Sequence, residues 1–510
     1  MNESSQKYKI VKSVFDNIVS AVGDGRKAPI LEVWSGPNPD GYRISWYSSQ
    51  GAKESIGIVD STVNLCLKFG SDSLDALAVV LGHELAHFYR SDTIAADFPH
   101  AFASAPMYDA LKSRASREER VAIETDADLF GGFYGCLAGY NTLGVNARVL
   151  DGVYKTFHLS ENLTGYLNLE ERQAIARGTR DSLSKLIPIV DAGTCLFALG
   201  NYTESARCFD LVMRKFPSRD MFNNAGVARA LEAIKISQPH AMPLPYPFEF
   251  DVDMRPRSQG SRHSRGLPTE ADRQKALFRL NLLLAAKEDF RQAQRRDPGY
   301  AIALVNLACT YDLLGDSDSA IVVATDAIAL AKKMNDPVSL NNAYQARGIA
   351  CWGRRDTLKA NADFKLVRHY QARSGGVEKQ FEYPEAINGE RAKNFVRDPN
   401  CLAVSVPEGM GGDVPIRIYS QDLISSRAIV VEWSGKEVLA IETLPQCEFE
   451  SNEGIKIGAR RKEVEDTYGT PKSVSTTSKG ECLVYETAGI CFWIGTNDQV
   501  QGWMIYDRKK

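Results

Sequence analysis

Apolar residues recur at helical spacing early in the chain, where Leu74, Leu77, Val80 and Leu81 lead into the stretch Ala78-Val-Val-Leu-Gly-His83-Glu84-Leu-Ala-His87-Phe-Tyr-Arg90. That period predicts a helix with one apolar face turned to a core. From about residue 181 the pattern becomes one of helical hairpins at a fixed spacing, the mark of a repeat array. After about 375 the helical period fades and alternating runs take over, at Ala428–Trp433, Glu437–Ile441, Cys482–Tyr485, Ile490–Ile494 and Gly502–Tyr506, which predict strands. Between them Ile455–Tyr468, followed by Gly469 and Pro471, reads as a short helix closed by Gly and Pro. The expected architecture is a multidomain α+β chain: a mainly helical domain over 1–180, an α-solenoid over 181–375, and a small α+β domain with an antiparallel sheet over 376–510.

Length supports the division, because 510 residues exceed what one hydrophobic core usually organises. A formal charge of −3 argues against a surface built for nucleic acid. No run of about 18 apolar residues is present, which removes an integral-membrane form. The N-terminus leads into an amphipathic helix without an apolar signal segment, and a cytoplasmic location is expected; a periplasmic one would follow if a signal had been removed. The ten cysteines stand singly, without Cys-x-x-Cys pairs, and read as reduced, buried thiols.

The first helix carries candidate chemistry. His83 and His87 lie four apart and so share one helix face. Zn2+ takes neutral imidazole nitrogens at about 2.0–2.1 Å, and an i, i+4 pair can deliver two without bending the backbone. Glu84 sits beside them, placed to take a proton from a metal-bound water. A third ligand is offered by Arg120-Val-Ala-Ile-Glu124-Thr-Asp126-Ala-Asp128. There Glu124 and Asp128 are again i, i+4, one carboxylate for the metal and the other for a histidine's free N–H. His100 competes as third ligand, but it lacks the Gly turn and the short spacing that such a ligand needs.

His-Glu-x-x-His followed by Glu-x-x-Ala-Asp resembles the gluzincin peptidases of the HtpX and CaaX-prenyl-protease type. The similarity takes in Ile18–Val22, Ile30–Val33 and Ile56–Asp60, which look like that family's helix and strands before the active-site helix. It also takes in Tyr166-Leu-Asn-Leu-Glu-Glu-Arg172, where Tyr166 replaces the family's oxyanion-stabilising histidine. The resemblance implies a zinc peptidase domain with one Zn2+ on His83, His87 and Glu124, Asp128 behind a ligand, and Glu84 and Tyr166 as catalytic groups.

Within 181–375, Ala192, Gly200, Tyr202, Phe209 and Pro217 fall where tetratricopeptide repeats place a small residue, a turn glycine, an aromatic and a closing proline. Gly226 opens a second repeat. A third runs through Ala308, Tyr311, Gly315, Ala320 and Ala327, and a fourth through Gly348, Ala360, Phe364 and Val367. Such stacks leave a concave face that holds a peptide or protein. The second repeat is interrupted over 236–272 by a proline-dense stretch and a basic Ser/Gly-rich one, expected as an exposed insertion loop. The C-terminal Gly-x-Pro and its sheet look like the BamE/SmpA-type module, with an interaction or stabilising role.

Peptidase and repeats together resemble the BepA-like proteases. The expectation is therefore a zinc-dependent endopeptidase whose repeats hold a protein substrate. The alternative is a non-catalytic or latent repeat-based scaffold or chaperone-like protein with a retained zinc site.

Overall fold

The structure is a computed structural model. It describes residues 3–35, 45–50, 53–90, 117–157, 168–236, 246–251, 270–367, 379, 385–387, 390–392, 395–399, 401–409, 414–423, 426–443, 447–477, 480–495 and 497–509. His100 and Tyr166, and all of the 236–272 insertion except 236, 246–251 and 270–272, lie outside the described residues. The chain divides into two compact units, Met1–Ile187 and Pro188–Lys510.

The first unit begins with α1 (Gln6–Val22), capped by the Ser5 hydroxyl accepting from Tyr8 N–H at 3.2 Å and ended by Gly23 in the left-handed region at φ 62°. A Cβ is disfavoured there, which is why glycine ends the helix. Three strands follow, β1 (Ile30–Trp34), β2 (Ser45–Gln50) and β3 (Lys53–Val59), in the order β1-β3-β2. The first pair is parallel and the second antiparallel, so β2 is an edge strand. Then come α2 (Asp60–Leu67), α3 (Ser73–Arg90), α4 (Arg117–Leu137) and α5 (Thr142–Thr156). One core joins Val11, Phe15, Ile18, Ile56, Ile58, Leu77, Leu81, Leu85 and Phe88. Full burial of such side chains contributes about 1.5–3 kcal/mol each. Leu74, expected on the buried face, is instead 44% exposed on the first turn of α3.

Helix α6 (Leu169–Ala198) carries Pro188 inside it, at the division between the units. In the second unit the hairpins are α6 with α7 (Tyr202–Met213), α8 (Arg219–Lys235) with α9 (Glu270–Arg296), α10 (Ala301–Leu313) with α11 (Ser317–Met334), and α12 (Pro337–Gly353) with α13 (Thr357–Leu366). A glycine of the first helix meets a phenylalanine of the second in three of these: Gly193 with Phe209, Gly226 with Phe290, and Gly348 with Phe364. A Cβ on Gly226 or Gly348 would come within 2.8 or 2.5 Å of its ring, so the helices approach through the missing side chain. Glycine and ring are sixteen residues apart in the first and last hairpins and sixty-four in the second, which measures the insertion.

In the C-terminal part a two-residue antiparallel pair, β4 (Ala386–Ile387) with β5 (Glu390–Arg391), is followed by β6 (Leu402–Val406), β7 (Ile416–Leu423), β8 (Ser426–Trp433), β9 (Lys436–Thr443), β10 (Ser473–Thr477), β11 (Gly480–Tyr485), β12 (Ile490–Gly495) and β13 (Val500–Lys509). The last eight form one antiparallel sheet, larger than expected, in the order β10-β11-β12-β13-β9-β8-β7-β6. Helix α14 (Arg461–Tyr468) is shorter than the stretch expected from 455, and buries Val464 and Tyr468 against Leu483, Tyr485, Phe492 and Trp503. Among the described residues, no helix is long and apolar enough to cross a membrane.

Candidate functional site

Helices α3 and α4 cross at two glycines. A Cβ on Gly82 would lie 2.7 Å from the Gly131 carbonyl oxygen, and one on Gly131 would lie 2.5 Å from the Gly82 carbonyl and 2.6 Å from His83 N. Real Cβ contacts do not come that close, so this approach exists only because both residues lack one. It brings His83 directly against the second helix. Arg90 fixes the far end of the crossing, donating to Asp126 at 2.5 Å and lying 4.2 Å over the Phe130 ring.

At the crossing the structure brings together His83, His87 and Glu124. His87 Nε2 is 3.1 Å from His83 Nε2, and His83 Nε2 is 3.4 Å from Glu124 Oε2. Ligands about 2.0–2.1 Å from a tetrahedral zinc stand roughly 3.3 Å from one another, so both of these separations suit neighbouring ligands of one zinc ion. Ligand atoms of all three residues lie within 4.8 Å of one another, and they could hold a metal ion. His83 Nδ1 donates to Asp128 Oδ1 at 2.8 Å, an arrangement that leaves the Nε2 lone pair facing Glu124.

Arg172, at the start of α6, reaches both carboxylates. Its Nη2 donates to Asp128 Oδ1 at 2.9 Å, and its Nη1 donates to Glu124 Oε2. Burial pulls the His83 imidazole toward its neutral form, but the hydrogen bond with Asp128 and the charge of Glu124 outweigh burial and hold its pKa above the ordinary value. Burial pushes the Glu124 and Asp128 carboxyls up, and Arg172 together with His83 and His87 outweighs it, so both lie below the usual carboxylate range. The charge of Arg172 thus faces two carboxylates in one pocket of low dielectric.

Glu84 is buried, and its Oε1 accepts from the Ser45 hydroxyl of edge strand β2 at 2.7 Å. Neither Ser45 nor Arg172 is marked by local spacing. Arg172 closes the Tyr166–Arg172 stretch that carries part of the family resemblance, in which only Tyr166 was given a role.

A family model matches residues 272–346, that of Anaphase-promoting complex subunit 5, within the hairpins from α9 to α12. None of the curated proteins matches the chain. The match corrects the reading of the chain as a gluzincin of the HtpX, CaaX-prenyl-protease or BepA-like kind fused to a BamE/SmpA-like module, and with it the zinc endopeptidase, hydrolase and metalloprotease assignments. The family found is a tetratricopeptide-like helical one and not a zinc metallopeptidase family. The matched residues are those whose chemistry is helix packing and presentation of a surface, so over that stretch the chain is similar to a subunit of an assembly.

Proposed function

We propose that this chain is a non-catalytic, repeat-based scaffold that holds protein partners, with a zinc ion retained in its N-terminal part. The observation that carries the reading is the run of paired helices from α6 to α13, on which the family match over 272–346 falls. Stacked hairpins of this kind present an extended groove and need no reactive group to act. In this reading the organisation is threefold: a zinc-bearing helical part over 1–180, the repeats over 181–375, and a C-terminal β-rich part over 376–510 that stabilises the array or adds contacts. We place it in the cytoplasm, a location supported by ten cysteines that stand singly in the sequence, most of them buried.

His83, His87 and Glu124 would hold the zinc, with Asp128 and Arg172 fixing two of those ligands. When bound, the ion would supply a coordinate cross-link between two helices and positive charge beside the two carboxylates. Asp128 orients the His83 ring, and Arg172 keeps Glu124 ionised and aimed. Ser45 holds the Glu84 carboxylate.

The test is elemental mass spectrometry for zinc with a casein digestion assay on the wild type and on Glu84→Gln. One equivalent of zinc in both and cleavage by neither is expected. Cleavage that depends on Glu84 would overturn the scaffold reading. No zinc in either would remove the metal from it.

A further inference from the structure

Residues Tyr246–Asp251, from the insertion between α8 and α9, run as an extended chain across the first helices of three successive hairpins. Asn306 on α10 donates to the Glu249 carbonyl at 2.8 Å and accepts from the Glu249 N–H at 2.8 Å. Asn224 on α8 treats Asp251 the same way, accepting from its N–H at 2.7 Å and donating to its carbonyl at 3.4 Å. Asn223 adds a second donor to the Glu249 carbonyl at 2.8 Å, and its own oxygen accepts from Asn306 at 2.8 Å. Asn342 on α12 donates to the Glu249 carboxylate at 2.8 Å. All four asparagines are buried.

This is a reader of main chain. Residues 249 and 251 point their amides to one side, as alternate residues of an extended strand do, and side-chain amides stand in for the neighbouring strand. Such pairing does not depend on which residues occupy the strand, so selectivity falls to the side chains. Phe250 stacks on Phe197 with ring centres 3.7 Å apart, Phe248 lies over Phe290 at 6.3 Å, and the Tyr246 hydroxyl donates to Asp312 at 2.8 Å. Tyr300 donates to the Asp251 carboxylate. Slots for two rings, with amide and hydroxyl donors for the acids on either side of the second, define a peptide chemistry.

We infer that the groove lined by Asn223, Asn224, Asn306 and Asn342 is a peptide-binding site held shut by the chain's own Tyr246-Pro-Phe-Glu-Phe-Asp251, and that its partner is an extended protein segment with two aromatic residues flanking a glutamate. The inference rests on the scaffold reading and names the partner of that groove. A tethered occupant acts at an effective concentration on the order of millimolar, so a free peptide of equal intrinsic affinity competes poorly until the tethered one leaves. The sixty-four-residue separation of Gly226 and Phe290, against sixteen elsewhere, shows that the helix pair closes with the insertion between its two members.

The experiment measures fluorescence anisotropy of a labelled synthetic peptide with the sequence of residues 244–253. The full chain is compared with Phe248→Ser/Phe250→Ser, and with that variant carrying Asn306→Ala. The doubly substituted chain, if its circular dichroism is that of wild type, is expected to bind the peptide at least tenfold more tightly than the intact chain, and Asn306→Ala to abolish the gain. Equal binding by intact and emptied chains, or none by a folded emptied chain, overturns the inference. Should the double variant not fold, the full chain is given protease-recognition sequences in place of residues 238–242 and 257–262 and is then cut at both. Exchange of the excised segment for labelled peptide is expected, while its permanent retention, or collapse of the cut protein, makes the segment ordinary core and sinks the proposal. Glu84-dependent casein cleavage would overturn the scaffold reading and leave this exchange untouched, so the two failures are told apart.

Discussion

The Asn306 side chain exchanges two hydrogen bonds with the backbone of Glu249, donating to its carbonyl and accepting from its N–H, each at 2.8 Å. One residue thereby bonds both polar groups of a main-chain unit 57 positions away in the chain. Asn306→Ala removes both bonds at once. The carbonyl keeps its bond from Asn223 at 2.8 Å, but the N–H is left unsatisfied, at a cost of about 1–3 kcal/mol, so the extended segment should release before the hairpins melt. Limited proteolysis reads this: cleavage within 246–251 should become several-fold faster in Asn306→Ala, and an unchanged cleavage pattern would mean that the aromatic contacts alone hold the segment.

Gly131 is where α4 meets α3, and alanine there would push its Cβ to within 2.5 Å of the Gly82 backbone. Overpacking of this kind costs about 1–3 kcal/mol. Because His83 N is one of the atoms struck, Gly131→Ala should lower the melting temperature and also weaken zinc binding in a chelator competition. A variant as stable as wild type and with the same zinc affinity would show that the helices can part without moving the histidine.

Arg172 neutralises Glu124 and Asp128 together. Substitution by leucine leaves two carboxylates facing one another. Removing one partner of a buried pair typically costs 3–5 kcal/mol, and since Glu124 keeps 28% of its side-chain surface, about 2–4 kcal/mol is expected here. Denaturant unfolding of Arg172→Leu followed by circular dichroism would measure it. A loss below about 0.5 kcal/mol, the level of exposed pairs, would mean that solvent screens the cluster.

Asp289 on α9 is largely buried, its side chain 14% exposed, facing Arg229, and burial pushes its carboxyl up to about 7 against the opposing pull of that guanidinium. In the unfolded chain the carboxyl titrates near its ordinary value of about 3.9. Between about pH 4 and pH 7 the folded state therefore holds the extra proton, and stability should fall as pH rises through that window. Thermal melts from pH 5 to 8 should show the decline in wild type and a flatter profile in Asp289→Asn. Parallel profiles would assign the proton to another group.

Local period was enough to put His83 and His87 on one helix face, and alternation was enough for the strands at 428–433, 437–441, 482–485, 490–494 and 502–506. Strand β10 was not legible, since Ser473-Val-Ser-Thr-Thr offers one apolar residue, and its pairing with β11 supplies what the pattern lacks. The peptidase reading came from a short motif, which specifies the residues of a helix face and not the use made of them; the family match falls on the repeats instead.

What the sequence determined by itself was what spacing within one element can express: helix faces, hairpins and turn glycines. Only the tertiary structure decided that Gly82 and Gly131 cross, that Arg172 reaches Glu124 across 48 positions, and that residues 246–251 lie along asparagines carried by three separate helices. Those contacts depend on where whole elements pack, and packing is settled by the shape and polarity of surfaces that no single stretch of chain contains.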